Sequence, residues 1–181
     1  YSHLLNELAK TQSERQQLIR GYLEPTEEER AEGLKIPTPA HKAIARLVAQ
    51  GYIRVVITTN FDRLMEKALD AEGIVPTVIS TEDQANGAMP LIHQRCCVFK
   101  VHGDYLDTRI RNTEAELKAY PEAFNLLLNR ILDEFGLIVC GWSAAWDPAL
   151  QQAIERSTSR RFSHYWAIRG EPTEKAQKLI E

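Results

Sequence analysis

The stretch VVITTNFDRLMEKAL, Val55 to Leu69, sets an apolar run against two threonines, then Asn60, Phe61 and Asp62, and then a helical pattern. A β-branched run of this kind reads as a strand. Apolar residues three and four apart read as one face of a helix. The stretch is therefore a strand that turns into a helix, with small polar side chains crowded at the turn.

The same rhythm continues on both sides. Upstream, residues 3 to 20 carry Leu4, Leu5, Leu8, Leu18 and Ile19 on an uneven helical stripe. Thr26 and Glu29 form a capping box for a short helix, or mark one turn in a solvated acidic loop between Glu24 and Pro37. Thr38 caps a helix that opens on Pro39 and ends at Gly51. The spacing predicts strands over Ile53 to Thr59, Thr77 to Ser80, Cys96 to Val101, Leu137 to Cys140 and His164 to Ile168. Helices are predicted over Asp62 to Leu69, from the Thr113 and Glu116 box, over Pro121 to Phe135, after Asp147 with Pro148 in its first turn, and over Pro172 to Glu181. The segment from Ser80 to Pro90 reads as loop. The strands at Ile53 to Ile57 and Leu137 to Cys140 are apolar at nearly every residue, the pattern of strands covered on both faces.

Strand–helix alternation points to an α/β fold, a three-layer sandwich around a mostly parallel, Rossmann-like sheet. Residues 1–181 are expected to form a single domain, with 1–37 as a peripheral helical segment. In open parallel sheets the ligand sits at the carboxyl ends of the strands. Three strands here end in polar or glycine-containing motifs: Thr58-Thr59-Asn60-Phe61-Asp62, His102-Gly103-Asp104, and Gly141-Trp142-Ser143 followed by Asp147. Parallel strands would place all three on one edge, converging on one cleft. Each residue also has an ordinary structural reading. Asn60 or Asp62 would cap the next helix, His102 would be a turn residue, and Ser143 and Asp147 would be a turn and a cap.

Composition narrows the classes. The chain has 181 residues, 26% charged, and a net charge of −3. It lacks the basic excess of a nucleic-acid surface, any apolar run near the ~20 residues of a membrane span, and a signal peptide. The three cysteines are Cys96, Cys97 and Cys140. Cys96 and Cys97 are adjacent on a strand and point to opposite faces, and there is no C-x-x-C pair, so no zinc site is expected. Cys97 and Cys140 read as small core residues. The chain begins at Tyr1 rather than Met, and is read as part of a longer protein.

Taken in order on successive strands, T-T-N-F-D, K-V-H-G-D and C-G-W-S-x-x-x-D resemble the sirtuin-like superfamily, and most closely its bacterial branch of NAD-consuming defence proteins. Arg111-Asn112-Thr113 followed by Glu116-Leu117 is similar to that branch too. The resemblance spans about residues 38 to 170. It implies that Asn60 contacts the nicotinamide ribose and orients a water. It implies that Asp62 lies near the carboxamide, and that His102 acts as base on a ribose hydroxyl. Gly141 and Ser143 would line the adenosine side. Thr58, Thr59, Phe61, Gly103, Asp104, Trp142 and Asp147 fall within the same binding motifs. NAD is then substrate rather than resident cofactor. The reaction is hydrolysis of the nicotinamide–ribose bond to nicotinamide and ADP-ribose, in the cytoplasm. A sensor or regulatory domain elsewhere in the full-length chain would gate it, and a homo-oligomer is compatible with it. Protein deacylation, ADP-ribosyl transfer, and a non-catalytic nucleotide-binding module that drives assembly stay open as alternatives.

The residue types suit cleavage of that bond. The oxocarbenium-like state needs a positioned water and a nearby base. Histidine titrates near neutral pH, and an asparagine amide offers both donor and acceptor to a water. Two features of the superfamily are absent. None of the nine glycines lies two positions from another, so the Gly-Ala-Gly turn that cradles the diphosphate has no counterpart. The first strand and its loop are expected upstream of Tyr1, leaving a vacant strand position beside the strand ending at Asn60 and weak NAD binding by residues 1–181 alone. The four-cysteine zinc module of deacetylating sirtuins is missing too, which counts against deacetylation.

Overall fold

The computed structural model describes residues 8–111, 113, 116–159 and 161–180. The element order is α1 (Gln12–Leu23), α2 (Glu27–Ala31), α3 (Pro39–Ala49), β1 (Val55–Thr58), α4 (Leu64–Ala71), β2 (Thr77–Ile79), α5 (Glu82–Gly87), a 3-10 turn (Leu91–His93), β3 (Cys97–Lys100), α6 (Glu122–Glu134), β4 (Leu137–Cys140), α7 (Pro148–Arg156), β5 (His164–Ala167) and α8 (Glu174–Ile180). The fold is mixed α/β with parallel sheets, as a Rossmann-like reading requires. The chain divides into two compact units, Tyr1–Thr113 and Glu114–Glu181.

In the first unit a parallel sheet has the order β1-β3-β2. Val55 to Thr58 lie beside Cys97 to Lys100, and Thr77 to Ile79 lie beside Cys97 to Phe99. Val56, Val98 and Val78 therefore share one face. Ala45 and Val48 of α3 pack there with Met65, Ala68 and Leu69 of α4, together with Ile74 and Cys96. Side chains three and four apart on each helix make that contact, as an amphipathic helix must. The two-face burial expected of β1 belongs instead to β3, all four of whose residues are buried. β3 is the centre of this sheet, whereas β1 is on its edge and only half-buried throughout.

Local signals account for most element starts. Thr11 with Glu14 and Thr26 with Glu29 form reciprocal capping boxes for α1 and α2. Thr81 with Gln84 does the same for α5. The Ser80 to Pro90 segment is thus not all loop: its T-x-x-Q box opens a short helix. Leu8 is helical, residues 9–11 interrupt the expected helix and α1 resumes it from Gln12, while Leu4 and Leu5 lie outside the described residues. The helix expected from the Thr113 and Glu116 box falls partly on residues outside the description, as do Asn112 and Glu181. Glu116 and Leu117 form a turn.

In the second unit β4 and β5 pair in parallel, Leu137 beside His164 through Cys140 beside Ala167. These two strands form a two-stranded sheet. β4 is not covered on both faces: Ile138 is 61% exposed, and Cys140 is exposed rather than in the core. A strand of one sheet that alternates buried and open residues was hidden by an unbroken apolar sequence. Phe124, Leu128, Ile131 and Leu132 form the buried face of α6. Asp147 caps α7 as expected, its Oδ1 accepting from Leu150 N at 3.0 Å.

Candidate functional site

Because β1 and β3 are parallel and Thr58 lies beside Lys100, Asn60 and His102 each sit two residues beyond a matched pair. Both leave the same edge of the sheet, at the carboxyl ends of their strands. The two motifs then bond to each other. Tyr105 N donates to Phe61 O at 3.1 Å, and Val101 N donates to Thr58 O at 3.1 Å. The Phe61 and His102 rings lie 6.2 Å apart, tilted by 42°. Asn60 is exposed, while Thr59, Phe61, Asp62 and His102 are half-buried.

Backbone bonds fix this edge. Asn60 N donates to Thr58 Oγ1 at 3.1 Å. Asp62 Oδ1 accepts from Leu64 N at 2.9 Å, so Asp62 does act at the start of α4. Gly103 has φ +97° and would place a Cβ 3.0 Å from Arg109 O and 3.2 Å from Ile110 Cα. Glycine is what the close approach of residues 109–110 demands. His102 O accepts from Arg111 N at 2.7 Å.

Asp104 turns away from solvent. It is 5% exposed; its Oδ1 accepts from Leu106 N at 3.0 Å and its Oδ2 from Lys100 Nζ at 3.0 Å. Lys100 is fully buried, and its Nζ also donates to Glu66 Oε1 at 3.2 Å, Phe61 O at 3.2 Å and Asp62 O. Arg63 Nε lies 3.7 Å from Glu66 Oε1 and 3.8 Å from Asp104 Oδ2. Sequence reasoning gave none of Lys100, Glu66 or Arg63 a role. A signal existed in CCVFKV, Cys96 to Val101, where one lysine interrupts an apolar strand. A buried lysine must be paired.

The third motif lies in the second unit. Gly141 is exposed with φ +72°, and Ala144, although it carries a Cβ, has φ +57°. Left-handed backbone at a non-glycine residue costs about 1–3 kcal/mol and clusters at functional loops. Ser143 is exposed; its Oγ accepts from Ala145 N at 3.3 Å and its O accepts from Thr173 Oγ1 at 2.6 Å. Trp142 stacks on Trp166 of β5, centroids 5.7 Å apart and planes within 16°. Asp147 is 2% exposed and its Oδ2 accepts from Tyr120 Oη at 2.5 Å, so its carboxylate serves the fold.

Burial pushes the Cys96 thiol up to about 11, and burial with the neighbouring Cys96 pushes Cys97 up to about 12. Neither is a nucleophile near neutral pH. Among the described residues no group of three or more His, Cys, Asp or Glu side chains is placed to hold a metal, and no helix is long and apolar enough to cross a membrane.

Comparison with known proteins adds two findings. The profile of the SIR2-like domain family matches residues 54–181. The NAD(+) hydrolase ThsA of Acinetobacter baumannii (strain 532279) is 35% identical over 89 residues, which is 49% of this chain and 17% of that relative. The chain thus spans well under two thirds of that relative's length.

Proposed function

From its membership of the SIR2-like domain family, to which the chain belongs, we propose that this protein is an NAD hydrolase core. It cleaves the nicotinamide–ribose bond to give nicotinamide and ADP-ribose. The observation that supports the proposal is the shared edge of β1 and β3, since Asn60 and His102 each follow the paired Thr58 and Lys100 by two residues. The similarity to a relative named as an NAD(+) hydrolase supports the substrate.

The residues divide the work. The Asn60 amide, exposed at the strand end, holds a water with one donor and one acceptor group. His102 takes a proton from a ribose hydroxyl as positive charge builds on the ring. Phe61 shields that side of the cleft. Thr58, Thr59, Asp62 and Gly103 complete the nicotinamide-ribose wall. Asp104 acts behind this wall through the bonds described above. Further domains of the full-length protein gate the activity in bacterial defence, acting on the cytoplasmic NAD pool.

Incubating the full-length protein with NAD and quantifying the products tests this. Equimolar nicotinamide and ADP-ribose are expected. NAD left intact under activating conditions, or ADP-ribose recovered on protein or on an acyl group, would refute hydrolysis.

A further inference from the structure

Lys100 adds a side-chain tie to the backbone bonds that join the two strand-end motifs. It is the last residue of β3, two before His102, and its side chain is fully buried. By register it lies on the face of Val98 and of Thr58, beneath the loop that carries Asn60. Its Nζ donates to Phe61 O at 3.2 Å and to Asp62 O, the two carbonyls directly after Asn60. The same nitrogen donates to Asp104 Oδ2 at 3.0 Å and Glu66 Oε1 at 3.2 Å. Asp104 follows His102 by two residues, and Glu66 is in the first turn of α4. One ammonium therefore holds the Asn60 loop, the His102 turn and the start of the intervening helix.

The chemistry of the pairing favours a positional role over a stabilising one. Two carbonyls and two carboxylates converge on Lys100, with Arg63 as a second cation 3.7 and 3.8 Å from those carboxylates. Removing a charged pair from water costs much of what the pairing returns, so such a network adds little net stability. What it does fix is geometry, because three N–H groups are shared among four acceptors and reach them only while both loops hold this arrangement. An aliphatic residue would fill the space as Val98 does two positions earlier, but would leave both loops without their common anchor.

We propose that Lys100 is a positioning residue that sets Asn60 and His102 at their working separation, an inference that rests on the proposed hydrolase reading for its catalytic consequence. Misplacement of about 1 Å costs roughly 10²-fold in rate.

The test uses the full-length protein with three variants: Lys100→Met, the charge-balanced Lys100→Met/Glu66→Gln, and Val98→Ala as a core change on the same strand and face. Val98→Ala is expected to lower stability while leaving kcat for NAD cleavage within about twofold. Lys100→Met/Glu66→Gln is expected to stay folded and lose kcat by about 10- to 100-fold with KM changed by less than about threefold. Amide hydrogen exchange gives an independent readout. Protection at residues 60–63 and 102–106 is expected to fall at least about tenfold in the lysine variants, and to hold in Val98→Ala. Equal exchange at both loops in the lysine variants, or a kcat loss in Val98→Ala as large as theirs, overturns the positioning role. Wild-type protein that releases no nicotinamide would refute the hydrolase reading alone, since the exchange measurement still decides whether Lys100 anchors the loops.

Discussion

Replacing Gly103 by alanine probes the turn that aims His102. The backbone there has φ +97°, and an added Cβ would lie 3.0 Å from Arg109 O, 3.2 Å from Ile110 Cα and 3.6 Å from Ile110 Cγ2. Two costs add. Holding an L-residue in left-handed backbone takes about 1–2 kcal/mol. Forcing a methyl group into filled space takes about 1–3 kcal/mol, and backbone atoms, unlike the end of a flexible side chain, yield little. The sum is about 3 kcal/mol. Gly73 is the control within the same unit. It too has positive φ, +69°, but nothing lies within 4 Å of an added Cβ, so Gly73→Ala carries only the conformational cost, about 1 kcal/mol. With a urea m-value of about 2 kcal/mol/M, the midpoint read by far-UV circular dichroism is expected to fall by about 1.5 M for Gly103→Ala and about 0.5 M for Gly73→Ala. Equal midpoints would refute the close approach of residues 109–110 as the reason for glycine at this turn.

Other outcomes follow from the same geometry. Tyr120→Phe removes the hydroxyl that donates to the buried Asp147 carboxylate at 2.5 Å, and a hydrogen bond to a charged group contributes about 1.5–3 kcal/mol; thermal unfolding should show a loss in that range, and an unchanged midpoint would contradict it. Cys140 is exposed, whereas Cys96 and Cys97 are buried with thiols held up to about 11 and 12. An aromatic disulfide reagent at pH 8 should therefore titrate one thiol in the native 181-residue chain and three after denaturation, and rapid reaction of two or more native thiols would contradict the burial.

Much of this fold is written in local pattern. The turn from Val55 to Leu69, the Asp147 cap and the capping boxes at Thr26 and Thr81 each rest on a bond within four residues, so sequence carries them. The Thr81 box is equally local, a T-x-x-Q within a segment that reads as loop. Strand coverage was not legible, because it depends on distant neighbours. β1 and β4 are as apolar as β3, yet among the described residues only β3 lies between two strands. The same limit applies to the site. Asn60 and His102 announce themselves as polar residues at strand ends, and parallel pairing then places them on one edge. Lys100 is known by its partners at positions 61, 62, 66 and 104, and only the folded chain brings these together. The inward-facing bonds of Asp104 and Asp147, to Lys100 and to Tyr120, cannot be read from spacing for the same reason.

The most direct measurement is nicotinamide release from NAD by the full-length protein beside its Asn60→Ala and His102→Ala variants, each verified as folded. Strand-end side chains that are exposed or half-buried contribute little to the core, so both variants should melt near the wild type. Loss of a positioned base or water typically costs about 10²- to 10⁴-fold, and a fall of that size in kcat for both variants is expected. A folded His102→Ala or Asn60→Ala variant that releases nicotinamide at the wild-type rate would contradict the assignment of this edge as the catalytic site.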